Sequence, residues 1–572
     1  MKKLFRYFKG YGVQSVIAPI LKLCEVALEL AVPFIVSYMI DNGIDKADRS
    51  LVIRCFFILI AFAAVGFGFA LAAQFFAAKA ATGFAAQLRR ALYSHIESLS
   101  YSDLDKLGVS SLITNMTSDA VRIQNGVNLT LRLLLRSPFV VAGAVVACFV
   151  ISAKPAFRFA LAVPVLLLFV YLLMLFGMKL YSRVQEKLSF TVRLAKENLD
   201  GVRVIRAFGS EETEKVKFRE QNGALYKDQI RSGRLSALLN PVTLVIVNIA
   251  VAALMYSGAI KVNAGELTRG EVVAMYNLTA MVLTELIKLA DLTINITKAL
   301  SSAKRISAVF SVTPSIKYGE TELDLSSDCA VKLENASLSY GGTPALSDIG
   351  LSLEKGKTLG LIGGTGSGKS SVIALIARFY DADGGTVSLF GHDIKEYPEK
   401  QLRKTVGAVP QKAVLFAGTL RENLTYGIDA PDDGAICKAL DAACALDFVS
   451  EKGGLDIKVE QNGRNFSGGQ RQRLCVARAL LRDPKILILD DSSSALDYAT
   501  DAKMREAVSG YSKDMTVIIA AQRVSSVRGA DLIAVIDDGK IIAKGTHEEL
   551  LGSCETYQKI YETQTGGGDG DE

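Results

Sequence analysis

The sequence predicts an α-helical membrane domain of six spanning helices with long cytoplasmic extensions, followed by an α/β domain built around a phosphate-binding loop. Three observations predict it. Long uncharged runs are confined to the first part of the chain, the pattern changes near Ala330 to short β-rich runs broken by Gly and Asp, and GGTGSGKSS separates a strand-like run from a helical one. At 572 residues the chain exceeds what one core normally sustains. A membrane domain over 1–320, a soluble domain over 329–564 and a disordered tail over 565–572 are therefore expected.

Composition narrows the function classes. Half of the residues are hydrophobic, and the net charge of +6 is modest for this length. The basic residues flank the apolar runs rather than forming one dense patch with aromatics, which argues against nucleic acid and for orientation in a bilayer. The eight cysteines form no CxxC or Cys/His cluster, so they read as packing residues of a reducing compartment. MKKLFRYFKGYG at the N-terminus is basic and amphipathic, as suits a retained interfacial elbow helix.

The secure spans are Cys55–Ala78, Ser137–Ala153, Phe159–Met178 and Leu235–Ile260, each near the ~17 to 25 residues that cross the hydrocarbon. Two weaker spans flank them: Val13–Ile40, interrupted by Lys22, Glu25 and Glu29, and a segment from Val272 that meets Glu285, Lys288 and Asp291. Lys and Arg concentrate at the N-terminus and from Lys179 through Arg234, whereas the opposite loops are short and carry few, so both termini face the cytoplasm. The long polar connections keep a helical pattern and are expected to turn near Tyr101–Gly108 and near Ala207–Glu214.

Charges at membrane depth carry two readings, a substrate path or internal pairing. Glu285, Lys288 and Asp291 stand three apart on one helical face, which favours pairing with each other; for Glu25 and Glu29 both readings stay open. Arg132 and Arg136 are expected to snorkel at the cytoplasmic edge.

In the second half, residues Gly363, Gly364, Thr365, Gly366, Ser367, Gly368, Lys369 and Ser370, followed by Ser371, fit G-x-x-x-x-G-K-[ST]. Such glycines let backbone N–H groups close around a β-phosphate, Lys369 reaches the β/γ oxygens, and Ser370 ligates magnesium. The apolar run KILILD ends at Asp490, a second magnesium ligand, and NFSGGQRQR lies about twenty residues earlier. There Ser467, Gly468, Gly469 and Gln470 open another helix, a second anion-binding start that implies a nucleotide shared with another domain.

With these motifs in this order, the whole chain resembles a half-transporter of the ATP-binding cassette (ABC) exporter family, six spans followed by one nucleotide-binding domain. The resemblance implies ATP and Mg2+ as cofactors, with Tyr340 in ASLSYGG as the aromatic stacked on adenine. It implies that Gln411 in VGAVPQKAVLF links magnesium and the attacking water to the membrane helices. Ser467 to Gln470 match the signature motif, while Ser494, Ala495, Leu496 and Asp497 match the loop that crosses the dimer interface. The turns near Asp103 and Glu211 resemble the coupling helices, the second crossing to the partner subunit. Asp393 in GHDIKEY reads as a turn residue.

Two positions depart from the family, and both concern hydrolysis. Asp491 occupies the place of the general-base glutamate, and Gln522 that of the histidine that contacts the γ-phosphate; the only histidines are His95, His392 and His547. A base must come within ~2.6 to 3.2 Å of its proton, and aspartate stops about one C–C bond, roughly 1.5 Å, short of glutamate. Gln522 can donate an N–H but cannot become a cation. Gln461 in VEQNGRN also replaces a common glutamate.

The resemblance thus implies the degenerate-site subunit of a heterodimeric bacterial multidrug-type exporter, in the plasma membrane. Its own site would bind ATP with impaired hydrolysis, and its signature would complete a hydrolytic site on a partner that carries Glu and His. The transported substrate is a small molecule, lipid or peptide, and the absence of a peptidase-like N-terminal extension weakens leader-peptide secretion. A regulatory or channel-like ABC membrane protein and a weakly active homodimeric exporter are the alternatives; a soluble ABC ATPase conflicts with the spans.

Overall fold

A computed structural model of the chain describes residues 2–428, 431–492, 496–512 and 514–565. It divides into two compact units, the chain up to Glu97 with Ser110–Val312, and Ser98–Val109 with the chain from Thr313.

The first unit is helical throughout. Helix α1 (Gly12–Tyr38) runs on through a widened π turn, Met39–Ile44, and α2 spans Arg49–Glu97. After α3 (Tyr101–Leu107), which belongs to the second unit, come α4 (Val109–Thr114), α5 (Ala120–Leu133), α6 (Arg136–Ile151) and α7 (Ala153–Asp200). Helices α8 (Val202–Ala207), α9 (Glu211–Ala237), α10 (Leu239–Asn263) and α11 (Arg269–Val309) complete it. At 1.5 Å per residue α2 is about 74 Å long, more than twice the ~30 Å of hydrocarbon it has to cross. Small residues let these helices approach closely: a Cβ at Gly126 of α5 would lie 2.3 Å from the Ala299 methyl of α11, and one at Gly83 of α2 would strike the Tyr11 ring.

Among the described residues, four helical stretches are long and apolar enough to cross a membrane: Gly12–Ile44, Arg49–Glu97, Val109–Ile151 and Pro241–Asn263. The first of these contains the charged span Val13–Ile40, so its three charges do not disqualify it. Helices α7 and α11, which hold the fourth and sixth predicted spans, are not among the four; Phe159–Met178 of α7 includes side chains outside the description, and α11 carries Glu271, Glu285, Lys288 and Asp291.

The charges inside this unit pair with one another. Lys22 donates to Glu25 at 2.6 Å, with both residues buried. Arg136 does not snorkel: it is buried, donates to both oxygens of Glu29 at 3.0 and 2.8 Å, and forms an ion pair with Glu285. Glu285 accepts in addition from Lys288 at 2.7 Å and from the Ser137 hydroxyl at 3.0 Å. Three helices, α1, α6 and α11, are thereby joined through one guanidinium, which suits a rigid five-donor fork. The expected pairing of Glu285 with Lys288 is present but is part of this larger network, and the Asp291 side chain lies outside the described residues.

In the second connection the reversal falls within the expected stretch Ala207–Glu214, but the short helix precedes it. The short helix is α8, Val202–Ala207, and Glu211 already belongs to the first turn of α9, beside Glu212 and Glu214. Three carboxylates at the positive end of a helix favour a helix start there, and Gly209 at φ +59° makes the reversal just before it.

The second unit holds two main sheets. One is antiparallel, in the order Thr343–Glu354, Cys329–Tyr340, Gly384–Leu389, His392–Asp393. The other has six strands, in the order Lys540–Gly545, Leu532–Asp537, Thr358–Ile362, Thr516–Ala521, Ile486–Asp490, Val406–Val409. Its inner strands are parallel and read as unbroken apolar runs because both faces are covered. One consequence decides the site: the strands Thr358–Ile362 and Ile486–Asp490, both flanking Thr516–Ala521, end on the same side of the sheet.

Helix α3 packs within this second unit. Ser100 caps it in a capping box with Asp103, and the buried Asp103 carboxylate also accepts from the backbone N–H of Ser315 at 2.9 Å. Burial would raise that carboxyl, but the Ser100 and Ser315 donors outweigh it and hold it below the usual carboxylate range.

Candidate nucleotide-binding site

The buried strand Thr358–Ile362 delivers the chain into Gly363–Gly368, and a helix begins at Lys369. Gly366 and Gly368 lie at φ +82° and +110°, where a side chain is strained. A Cβ at Gly363 would fall 2.1 Å from the Ile536 carbonyl oxygen. Lys369 spans the loop from within, donating to the carbonyls of Gly363 at 2.9 Å and Gly364 at 2.7 Å and to the Ser367 hydroxyl at 3.3 Å. Burial depresses its pKa, against the opposing pull of Asp491 and Asp490.

The neighbouring strand ends at Asp490, whose Oδ1 accepts from the Ser370 hydroxyl at 3.0 Å. Burial holds this carboxyl above the usual range; the Asp491 charge adds to that, while the Ser370 hydrogen bond and Lys369 oppose it. A carboxylate and a hydroxyl so placed, next to a lysine, are a donor set fitted to a hard divalent cation with phosphate oxygens completing its shell.

Asp491 sits at φ +46°, with its N–H on the Ala520 carbonyl at 2.9 Å. Gln411 donates its side-chain amide to Asp491 Oδ2 at 3.3 Å, so the two polar residues that the sequence assigned to water and magnesium are brought together. Gln522 follows the strand Thr516–Ala521, and its Oε1 accepts from the Thr365 hydroxyl of the phosphate loop at 3.4 Å. It is held there from behind by Gln564, which donates to the Gln522 carbonyl at 2.8 Å.

Tyr340 ends its strand, is 39% exposed, and forms one wall of a cleft of about 570 Å³ that also touches Gly366, Gly368, Lys369, Ser370 and Ser371. The cleft has a wall that the sequence reading missed, the hairpin turn Asp538–Gly539. Gly539 donates to the Ser367 carbonyl at 3.0 Å, and its own carbonyl accepts from Ser347 at 2.9 Å. An Asp-Gly turn between two strands is a visible signal of a hairpin, but nothing local says that it abuts a phosphate loop.

The helix Gly468–Leu480 begins at Ser467, whose hydroxyl accepts from the Gln470 N–H at 3.2 Å while Gln470 Oε1 accepts from the Ser467 N–H at 3.0 Å. This reciprocal capping box fixes the Ser-Gly-Gly-Gln turn. Asp497 caps the next helix, Tyr498–Tyr511, by accepting from Thr500 N–H at 3.0 Å, and Leu496 is buried. Ser494 and Ala495 lie outside the described residues. Gln461 opens a short 3-10 turn, Gln461–Gly463, and Asp393 accepts from Lys395 N–H at 2.8 Å as a turn residue does.

A phosphate-loop sequence, a carboxylate and hydroxyl suited to a divalent cation, and an aromatic-walled cleft at the ends of parallel strands have the form of a nucleoside-triphosphate site, and the same chain carries a helical membrane unit. Residues 15–286 match the ABC transporter transmembrane region family, and residues 346–494 the ABC transporter family. The chain is 32% identical over 572 residues to "Uncharacterized ABC transporter ATP-binding protein YfiB" of Bacillus subtilis, covering 99% of each. It is 30% identical over 462 residues to an ATP-dependent lipid A-core flippase of Vibrio vulnificus, covering 80% of this chain and 79% of that one. The solved structure of a bacterial Atm1-family ABC exporter with ATP bound has the same fold, with a TM-score of 0.80 at 22% identity over 96% of this chain and 98% of that chain. The chain belongs to the ABC transporter family, with the transmembrane region and the ATP-binding domain in one polypeptide.

Proposed function

We propose that this chain is one subunit of a heterodimeric, ATP-driven exporter of a bacterial plasma membrane, with six spans and cytoplasmic termini, working by alternating access. The observation that carries it is the pairing of Gln411 with Asp491 beside an otherwise complete phosphate site. Lys369 and the loop glycines bind the phosphates of ATP, Tyr340 takes the base, and Ser370 and Asp490, with Gln411, hold magnesium. Magnesium, when bound with ATP, supplies neutralisation of charge across the β and γ phosphates. Asp491 is a short base and Gln522 an uncharged contact, so this site retains ATP and turns it over slowly. Ser467 to Gln470 complete the hydrolytic site on the partner's phosphate loop, and Leu496 and Asp497 lie along that interface.

Relatives named as lipid A-core flippases support an amphipathic lipid as the first substrate class to test. The test of the asymmetric reading is ATP turnover by the purified chain alone and after co-expression with a half-transporter carrying Glu and His at the two positions. Slow turnover alone with tight ATP binding, and at least tenfold faster turnover by the pair, is expected. Vigorous hydrolysis by the chain alone would make it a homodimeric exporter instead.

A further inference from the structure

Gln522 and Arg523, both exposed, separate the strand Thr516–Ala521 from the short helix Val524–Val527. The Gln522 carbonyl and the Val524 N–H therefore stand at a strand end and a helix start, where backbone groups need partners from elsewhere. One side chain serves both. Gln564 Nε2 donates to the Gln522 carbonyl at 2.8 Å, and Gln564 Oε1 accepts from the Val524 N–H at 2.8 Å. A primary amide suits this task because it offers a donor and an acceptor side by side, whereas a carboxylate has no donor and an ammonium no acceptor.

Gln564 lies in the last turn of the helix Glu555–Thr565, and that helix is firmly seated. Tyr557 is fully buried, in one apolar cluster with Val524 and Val527, with Ala521 at the end of the strand and with Ile362 just before the phosphate loop. Its hydroxyl shares a hydrogen bond of 2.7 Å with His547 Nδ1. A second helix grips the same segment, since Arg505 of Tyr498–Tyr511 donates to the Ser525 carbonyl at 2.9 Å.

What this bend presents is the Gln522 side chain. Its Oε1 accepts from the Thr365 hydroxyl at 3.4 Å, so the end that can donate to a phosphate oxygen is its NH2. A neutral amide exerts no long-range pull on phosphate and bonds it only over a narrow range of distance and angle. Its contact depends on where its backbone is held.

We propose that Gln564 is a positioning residue for the terminal phosphate. By pinning the backbone on both sides of Arg523 it fixes Gln522 against the phosphate loop and gives this site a preference for a nucleoside triphosphate over a diphosphate. This rests on the ATP-binding reading of the cleft, with Gln522 as the contact to the terminal phosphate.

Equilibrium dialysis of the full-length protein in lipid nanodiscs, with Mg2+ and radiolabelled ATP or ADP, measures that preference. Gln564→Met keeps the length of the side chain and removes both hydrogen bonds. It is expected to weaken ATP binding by about fivefold or more, within the worth of one hydrogen bond to a charged group, and to change ADP binding by less than about twofold. Gln522→Ala should show the same selective loss. The two substitutions together should cost no more than Gln522→Ala alone, because one residue acts through the other. An unchanged ATP-to-ADP preference in Gln564→Met, whether both affinities hold or both fall together, overturns the proposal, as do losses that add in the double variant. If the parent binds no ATP, or if Gln522→Ala keeps the parent's preference, the reading of the site itself fails and the proposal falls with it.

Discussion

Gln411 and Asp491 share a hydrogen bond of 3.3 Å, and Asp491 makes it from a left-handed backbone at φ +46°. Aspartate tolerates that conformation better than longer side chains do, so the short carboxylate suits its backbone while falling short of a base's reach. Restoring reach is expected to restore chemistry. In the complex with a partner, Asp491→Glu should raise hydrolysis at this site by at least tenfold, part of the ~10² to 10⁴ that a positioned base contributes, and Gln522→His should add to it. Single-turnover assays with the partner's own base disabled isolate the effect; no gain in either variant would place the defect elsewhere.

Ser467 has two separable duties. Its hydroxyl caps its own helix, worth about 1 kcal/mol, and in the proposed assembly it faces the partner's triphosphate. Ser467→Ala should lower the melting temperature slightly, abolish most of the pair's steady-state turnover, and leave ATP binding at this chain's own loop intact. Loss of ATP binding here would contradict the division of labour.

Arg136 holds two carboxylates at once. Arg136→Met leaves the buried Glu285 with Lys288 as its remaining cationic partner and should destabilise the protein by about 3–5 kcal/mol, the usual cost of breaking a buried pair. Arg136→Met combined with Glu285→Leu should recover most of that loss, as followed by thermal denaturation in detergent. If the double variant were as unstable as the single one, the network would matter for shape rather than charge.

The raised Asp490 carboxyl sets a pH dependence. The folded chain binds this proton more tightly than the unfolded chain, whose value is near 3.8, so stability falls as pH rises from there through the folded value. The penalty grows until the carboxyl is fully ionised in the folded chain. Asp490→Asn should therefore raise the melting temperature of the nucleotide-free protein at pH 7, with the advantage shrinking in acid, and should weaken Mg-ATP binding. Equal melting of the two proteins at pH 7 would remove burial as the dominant influence on this group.

Much of the phosphate site was legible because its residues are consecutive: Gly363 to Ser370 and KILILD each carry their geometry in a short string. Gln411 was reachable only through resemblance, since nothing near it indicates Asp491 across a sheet. The Asp538–Gly539 turn was missed, because its role depends on neighbours distant in sequence. The snorkelling expected of Arg136 failed for the same reason: one helix shows a cation near an apolar run, and two acidic partners on other helices decide its fate. The turn expected at Glu211 came within a few residues, limited by an acidic first turn that reads equally as loop or helix start.

Ser315 donates to Asp103 across a sequence separation of 212, and Ser98–Val109 clusters with the ATP-binding fold rather than with the helices on either side of it in sequence. Inheritance of the two halves is thereby entangled. A recombinant that exchanges the ATP-binding domain at Thr313 carries a foreign surface to a resident α3, and a single crossover cannot keep Ser315 with Asp103. Two exchanges, one of them only a dozen residues long, are the smallest transplant that moves this domain whole.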